Sequence, residues 1–439
     1  MKKILLVLII TSVGAGLMAQ QELGTHLMRG VWQANKTNPA LLPEARLVIG
    51  LPGVYNGLSI ENITYSDLVT PADNGGYVLN IDNVIARLDD RNRIREHLEV
   101  ETFSIGMRFG KVLLSAGHSV QFNAFINYPK TLPQLIWQGN AQFVGQRVDF
   151  STDLQLFGYN TFFAGAALPL TKNITIGARA KWFNGFGDIS TDRTRLGLFT
   201  DEEAYQLTLD ADFRLNSTGS IQYDGLRNLA VNYEFGSFST QDLLTRNQGL
   251  AFDFGLQWQL GKFDIAASVL DLGGIIRWKD GVQNYSLNGV YEFTGLDVAP
   301  AIVNKEGEVG NAIDTLLNLY DFVETNNAYT SRLPLRYYLS GTYQLNETWR
   351  LGALIYSETW RGETFPAVAA GANVQLFDWL DAGATYAFRN ERFDNLGVNT
   401  TMQFGPLQII TMTDNLLSAL RPKDSNSANV RVGLNLLFR

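Results

Sequence analysis

The sequence predicts an all-β protein: a transmembrane antiparallel β-barrel of about 14 strands, with 12 or 16 as alternatives, and a few short loop helices. Three observations predict it. Apolar and polar residues alternate with period two in segment after segment. A secretory leader opens the chain. Beyond that leader, none of the 439 residues falls in an apolar run of the length a membrane helix needs.

Taking the elements in order, MKKILLVLIITSVGAGLMA places two lysines before an apolar stretch and small residues before a cut after Ala19. Residues 1–19 therefore read as a signal peptide, too short to span a bilayer. Residues 45–439 read as the barrel, and no Pro- or Ser-rich linker divides them from residues 20–44. The expected location is the outer membrane of a Gram-negative bacterium, with membrane lipid as the barrel's first partner.

The wall strands follow. From Leu250 to Leu260 the even positions are Leu, Phe, Phe, Leu, Trp and Leu, and the odd ones Ala, Asp, Gly, Gln and Gln. Successive side chains of a strand point to opposite faces, so one face is wholly apolar. The pattern recurs at 174–182, 205–215, 380–389 and 430–438, and more briefly at 104–109, 348–356 and 396–404. Links as short as Gly261-Lys262, Asn346-Glu347 and Gly405-Pro406 make the neighbours antiparallel. Three segments break the rhythm: 81–100 and 309–324 carry apolar residues at helical spacing, and 414–421 suits a short helix. Counting strands back from a periplasmic C-terminus places 296–333 outside the cell. Treating Gly261-Lys262 as a periplasmic turn places it inside.

An apolar face can meet a second sheet or lipid. The number of strands and the aromatics at strand ends (Trp182, Trp258, Trp349, Tyr386, Phe388 and Phe438) favour lipid, because amphipathic rings belong at a bilayer interface. The opposite face carries Arg179, Lys181, Asp210, Asp212, Arg214, Asp253 and Gln257, which read as cross-strand pairs lining a lumen.

Composition excludes several functions. With 35 basic against 43 acidic residues, nucleic acid is not an expected partner. The absence of cysteine rules out disulfides, thiolate metal sites and a lipid-modified N-terminal Cys. The three histidines, His26, His97 and His118, lie far apart and lack metal-ligand spacing, so no cofactor, metal or enzymatic activity is expected.

Asn38-Pro39-Ala40 precedes the first strand. Pro39 fixes its own φ and biases Asn38 away from helix, giving the passage from plug to wall one shape. This turn resembles that of the long-chain fatty-acid transporter (FadL-like) family of outer-membrane barrels. The resemblance implies a fourteen-stranded wall around an N-terminal plug, here residues 20–44, and a hydrophobic ligand. The C-terminal strand, with Arg431, Gly433, Leu436 and Phe438, resembles the signal read by the barrel-assembly machinery, although Arg439 follows the aromatic. That end of the chain is also similar to an uncharacterised group of exported barrels related to the same family, including accessory barrels of a protein-secretion system. Two functions are expected from these features. One is passive transport of a hydrophobic or small amphipathic solute. The alternative is an accessory or scaffold barrel of a secretion or surface assembly, with secretion-system proteins as partners.

Overall fold

The computed structural model describes residues 23–71, 77–202, 206–219, 221–222, 230–231, 246–294, 322–389 and 392–439. Its wall has 14 antiparallel strands, numbered here in chain order. β1 is Leu47–Gly50 and Gly53–Ile60, β2 Arg91–Phe109, β3 Val112–Pro129, β4 Asp153–Pro169 and β5 Ile174–Thr200. β6 is Gln248–Leu260, β7 Phe263–Trp278, β8 Tyr329–Arg332 and Leu335–Gln344, β9 Trp349–Trp360 and β10 Glu363–Phe377. β11 is Leu380–Arg389, β12 Arg392–Phe404, β13 Leu407–Thr413 and β14 Ser427–Phe438. The breaks in β1 and β8 fall at Pro52 and Pro334, which have no N–H to give the ladder. β14 returns to β1, pairing from Leu47↔Phe438 to Ser59↔Ser427, so the sheet closes.

The apolar face is outside. On β6 Leu250, Phe252, Phe254, Leu256, Trp258 and Leu260 are all exposed, Leu250 at 58%, whereas Asp253 on the other face is fully buried. Phe103, Ile105, Met107 and Phe109 on β2, Leu339 on β8 and Ile355 on β9 continue this belt. A bare apolar belt around a closed sheet is far larger than the patches a soluble surface carries, and lipid is its solvent. Closure then satisfies every strand edge, as hydrocarbon requires. Aromatics gather at the end where both chain termini lie. Phe109, Trp258, Phe263, Trp349, Phe377, Trp379, Phe404 and Phe438 are exposed beside its short turns. Phe377, Trp379 and Phe404 stack in series at 5.6 and 5.4 Å. Among the described residues no helix is long and apolar enough to cross a membrane.

Three expectations need correction. The helical spacing over 81–100 yields a helix only at Ile81–Arg87, and from Arg91 the chain is wall. Arg93, Arg95, His97, Glu99 and Glu101 alternate into the lumen, and a bulge between Glu101 and Phe103 then swaps which parity faces in. Charge on the inner face masked the period of two. Secondly, the strand Gln206–Gly219 is not part of the wall. It pairs with the far half of β5 and with Gln283–Thr294, forming a sheet beyond the end opposite the termini. Asp210, Asp212 and Arg214 there face Arg147 and Arg195, Arg193 and Asp192 in a solvent-exposed ladder, not in the lumen. Thirdly, Gln283–Thr294 is the strand that made the two counts disagree. With it outside the wall, Gly261-Lys262 lies at the end of the termini, and the described residues flanking 295–321 lie at the other. The helix expected over 309–324 lies outside the described residues except at Phe322–Glu324, where Val323–Thr325 is a strand. The short helix near the C-terminus is present at Leu416–Leu420.

Candidate functional site

The lumen is built in three layers. The first is the segment before β1. Two short helices, α1 at Leu23–Leu27 and α2 at Ala34–Thr37, lie within the wall, and Leu23, Leu27, Val31 and Ala34 are at most 1% exposed. Polar contacts fix it on every side. Backbone N–H groups of Leu23 and Gly24 donate to Asp414, and Trp32 Nε1 donates to Ser104 Oγ at 2.7 Å. Gln33 and Asn435 exchange amide hydrogen bonds at 3.0 and 2.8 Å, and Arg29 pairs with Asp264 at 3.0 Å.

Asn38, Pro39 and Ala40 sit at the tightest of these contacts. Asn38 Nδ2 donates to the carbonyls of Leu256 and Ala267 at 3.2 and 3.0 Å, while its Oδ1 accepts from Ala40 N at 2.8 Å. The turn lies against Gly177 and Gly255, which face each other across β5 and β6. A Cβ on Gly177 would stand 2.5 Å from Pro39 O, and one on Gly255 2.9 Å from Pro39 Cδ. Only glycine lets the two backbones approach so closely. Gly106 receives Trp32 and Gly433 receives Gln33 in the same way.

His26 joins this segment to β8. Thr37 Oγ1 donates to Ala34 O at 2.9 Å, so it accepts from His26 Nδ1 at 2.9 Å, leaving Nε2 to accept from Ser340 Oγ at 3.0 Å. The ring stacks on Tyr338 with centroids 4.8 Å apart. Burial, and then the nearby Arg29, hold its pKa well below the ordinary imidazole range.

The middle layer is ionic. Lys36 reaches Glu99 at 2.7 Å and Glu101 at 3.6 Å, and Arg431 pairs with the same two carboxylates while lying over Tyr55. Beside them Lys181 bridges Asp253 at 2.9 Å and Asp271 at 2.8 Å. Arg179 stands 3.5 Å from Asp253, and Arg336 pairs with Asp271. Asp271 takes φ of 60° in a bulge of β7, with its N–H donating to Asp253 at 2.8 Å. A non-glycine residue in that region is held there by its surroundings, here two carboxylate–cation contacts. A cavity of about 40 Å³ lies between the two ion clusters and against Lys36 and Thr37 of the N-terminal segment. It holds a few waters and no hydrocarbon of any size.

The upper layer is aromatic. Trp360 packs on Phe125 and Phe157 at 5.0 and 6.0 Å, and Tyr159 on Phe157 and Phe183 at 5.4 and 5.3 Å. Arg95 pairs with Glu358 and lies 4.4 Å from the Phe365 ring centre. Tyr159 links the layers, since its ring belongs to the aromatic cluster while its hydroxyl donates to Gln121 at 2.8 Å on the cavity wall.

The remaining sequence-predicted residues divide by face. Arg431 and Gly433 point into the lumen, and Phe438 is exposed on the lipid side with Leu436 on the same face. Arg179, Lys181 and Asp253 meet in the ionic layer as expected, but Asp210, Asp212 and Arg214 do not join them. His97 bonds Asn123 at 2.8 Å, and His118 bonds Thr102 and Asn160 at 2.8 and 3.2 Å, so the three histidines stay apart. Among the described residues no group of three His, Asp or Glu could hold a metal ion. The sequence reading missed Lys36, Glu99, Glu101, Asp271 and the aromatic layer. Gly273-Gly274 inside an apolar strand was the available sign of the bulge that places Asp271.

Residues 39–414 match a family model described as a family of unknown function (DUF5723). No curated protein matches the chain. Solved structures similar to it include the Ralstonia pickettii toluene transporter TbuX, at 11% identity over 92% of this chain and 93% of that one, TM-score 0.42. A Pseudomonas aeruginosa FadL homologue is similar at 11% identity over 97% and 100%, TM-score 0.44. The P. putida toluene transporter TodX is similar at 9% over 92% and 93%, TM-score 0.42.

Proposed function

The chain belongs to that family of unknown function, DUF5723, and we propose that it is an outer-membrane barrel of a Gram-negative bacterium that passes a small amphipathic solute passively. Export with removal of residues 1–19, no enzymatic activity and insertion by the barrel-assembly machinery belong to the same reading. The observation that carries it is the stacking of an aromatic layer directly on an ionic one, joined by Tyr159. A solute with an apolar body and a polar end matches both layers, whereas a purely hydrophobic one meets buried charge in the middle of its path. The N-terminal segment fills the lumen beside them and enters the ionic layer through Lys36, so passage requires that it yield.

Reconstitution in liposomes tests this. The chain has no cysteine, so a pair introduced by Gly24→Cys and Met412→Cys is the only disulfide that can form. A Cβ on Gly24 would lie 3.3 Å from Met412 Cγ, within reach of a bridge once the Asp414 carboxylate, 2.9 Å away, shifts. Uptake of a small aromatic acid is expected in the reduced protein and lost on oxidation, with sugars excluded throughout. No uptake of any amphipathic probe, even with residues 23–44 deleted, would refute the proposal.

The sheet beyond the wall supports a second reading, an accessory barrel of a secretion or surface assembly. It uses 14 residues of Gln206–Gly219 and 12 of Gln283–Thr294 outside the membrane, where a transporter has no evident use for them. Purification from gently solubilised membranes would return a stoichiometric partner if this is its role, and a lone barrel if not.

A further inference from the structure

We propose that the cavity in the ionic layer is a binding site for one small monovalent anion. Four cationic side chains line it, Lys36, Arg179, Lys181 and Arg336, against the single carboxylate of Glu99. The other acids of the layer grip these cations from the side: Asp253 holds Lys181 and Arg179, and Asp271 holds Lys181 and Arg336. Counting Arg431 and Glu101, the layer holds five cations and four carboxylates among the described residues, one positive charge in excess. A buried charge without a counter-charge is strongly disfavoured, and the surplus here faces an open space.

The hydrogen-bonding groups agree. Thr161 and Arg179 are 2% and 5% exposed, yet Thr161 Oγ1 and Arg179 Nε find no partner among the described residues, and both residues line the cavity. Buried donors are rarely left unpaired, so both point to a missing acceptor. Ser119 and Gln121 supply further polar groups on the same wall. Space for a few waters suits a halide, a nitrate or a carboxylate head.

The charge count stands whether or not the barrel conducts. Only the identification of the anion with the polar end of the transported solute rests on the proposed function. Diffraction from the detergent-solubilised full chain separates the two. Crystals soaked in sodium bromide should give an anomalous peak between Arg179 and Lys36. The peak should weaken in Thr161→Val, which keeps the shape of the side chain, and vanish in Arg179→Met. In 4-bromobenzoate the bromine should instead appear in the aromatic layer with the carboxylate in the cavity, and neutral 4-bromotoluene should leave the cavity empty. Bromide without bromobenzoate binding establishes a free-ion site and removes the link to transport. No peak with either anion, or a bromide peak indifferent to both substitutions, overturns the inference.

Discussion

Gly177→Ala is the sharpest test of how the N-terminal segment is held. The added Cβ would stand 2.5 Å from Pro39 O and 2.6 Å from Ala40 N, atoms of backbone that no rotamer change can move aside. Since relaxed contacts lie near 3.5 Å, the turn must retreat by roughly 1 Å. That displacement breaks the bonds from Asn38 Nδ2 to Leu256 and Ala267 and the 2.6 Å bond from Ser268 Oγ to Thr37 O. At about 1 kcal/mol each the loss is about 3 kcal/mol, on the order of 10²-fold in the ratio of seated to released segment. Hydrogen exchange of amides 23–45 in detergent should accelerate by that factor, while the barrel strands keep their protection. Gly341→Ala is the control, because a Cβ there meets nothing within 4 Å. Unchanged protection of 23–45 in Gly177→Ala would refute the argument that the Gly177–Gly255 seat secures the segment.

Removing Arg431 alone should be costly. Arg431→Met leaves Glu99 and Glu101 to share Lys36, and breaking a buried pair on one side costs about 3–5 kcal/mol. Denaturant unfolding from micelles should show this, and should show most of it recovered when Glu99→Gln and Glu101→Gln are added. A triple variant no more stable than Arg431→Met would mean that the pairing is not the cause. His26 should make the N-terminal segment sensitive to acid. Its folded pKa lies below the ordinary value near 6.5, so the released state binds the extra proton, and seating, complete above about pH 6.5, weakens as pH falls. The groups facing His26 are Arg29 and Tyr338, with Asp264 holding Arg29, and none offers a negative charge to the ring itself. Exchange of amides 23–45 should quicken between pH 7.5 and 5 in the native chain and change much less in His26→Gln; equal acceleration in both would assign the effect elsewhere.

Period two was legible wherever one face is apolar and the other small or neutral, as on β6, because lipid and lumen then select different residues at alternate positions. It failed on β2 for two physical reasons. Arg93, Arg95, Glu99 and Glu101 put formal charges on the inner face, which resembles the charged face of a helix, and the bulge at Thr102 shifts the phase partway along. The ladder of Asp210 and Asp212 misled in the opposite direction, since a strand half in solvent alternates as cleanly as one in a membrane. Asn38-Pro39-Ala40 could be picked out from Pro39 alone, but the glycines that receive it are 139 and 217 residues away from Asn38, and pairing over such separations leaves no local trace. Arg431 was singled out for its place near the chain end; its partners, on β2, could not be read without the closure of the wall.

The three layers differ in what they can yield. The ionic layer is tied between β2, β5, β6, β7, β8 and β14 and, through Lys36, to the N-terminal segment, so moving any one of its charges strands another in low dielectric. The aromatic layer is held by ring packing, and Phe157 and Phe183 can turn about χ1 and χ2 without uncovering a charge, whereas Trp360 and Phe365 cover Arg95. The N-terminal segment is held by dispersed hydrogen bonds, each worth about 1 kcal/mol, and by close contacts with glycine that resist compression but not withdrawal. Opening by a small solute is therefore least costly in the aromatic layer, since withdrawal of the N-terminal segment also takes Lys36 from Glu99 and Glu101. For the passage proposed above, the aromatic layer and the N-terminal segment set the rate, while the charges carried by the wall set which solute passes. Substitutions in Phe157 or Trp360 should alter rate with selectivity kept, and substitution of Arg179 should do the reverse.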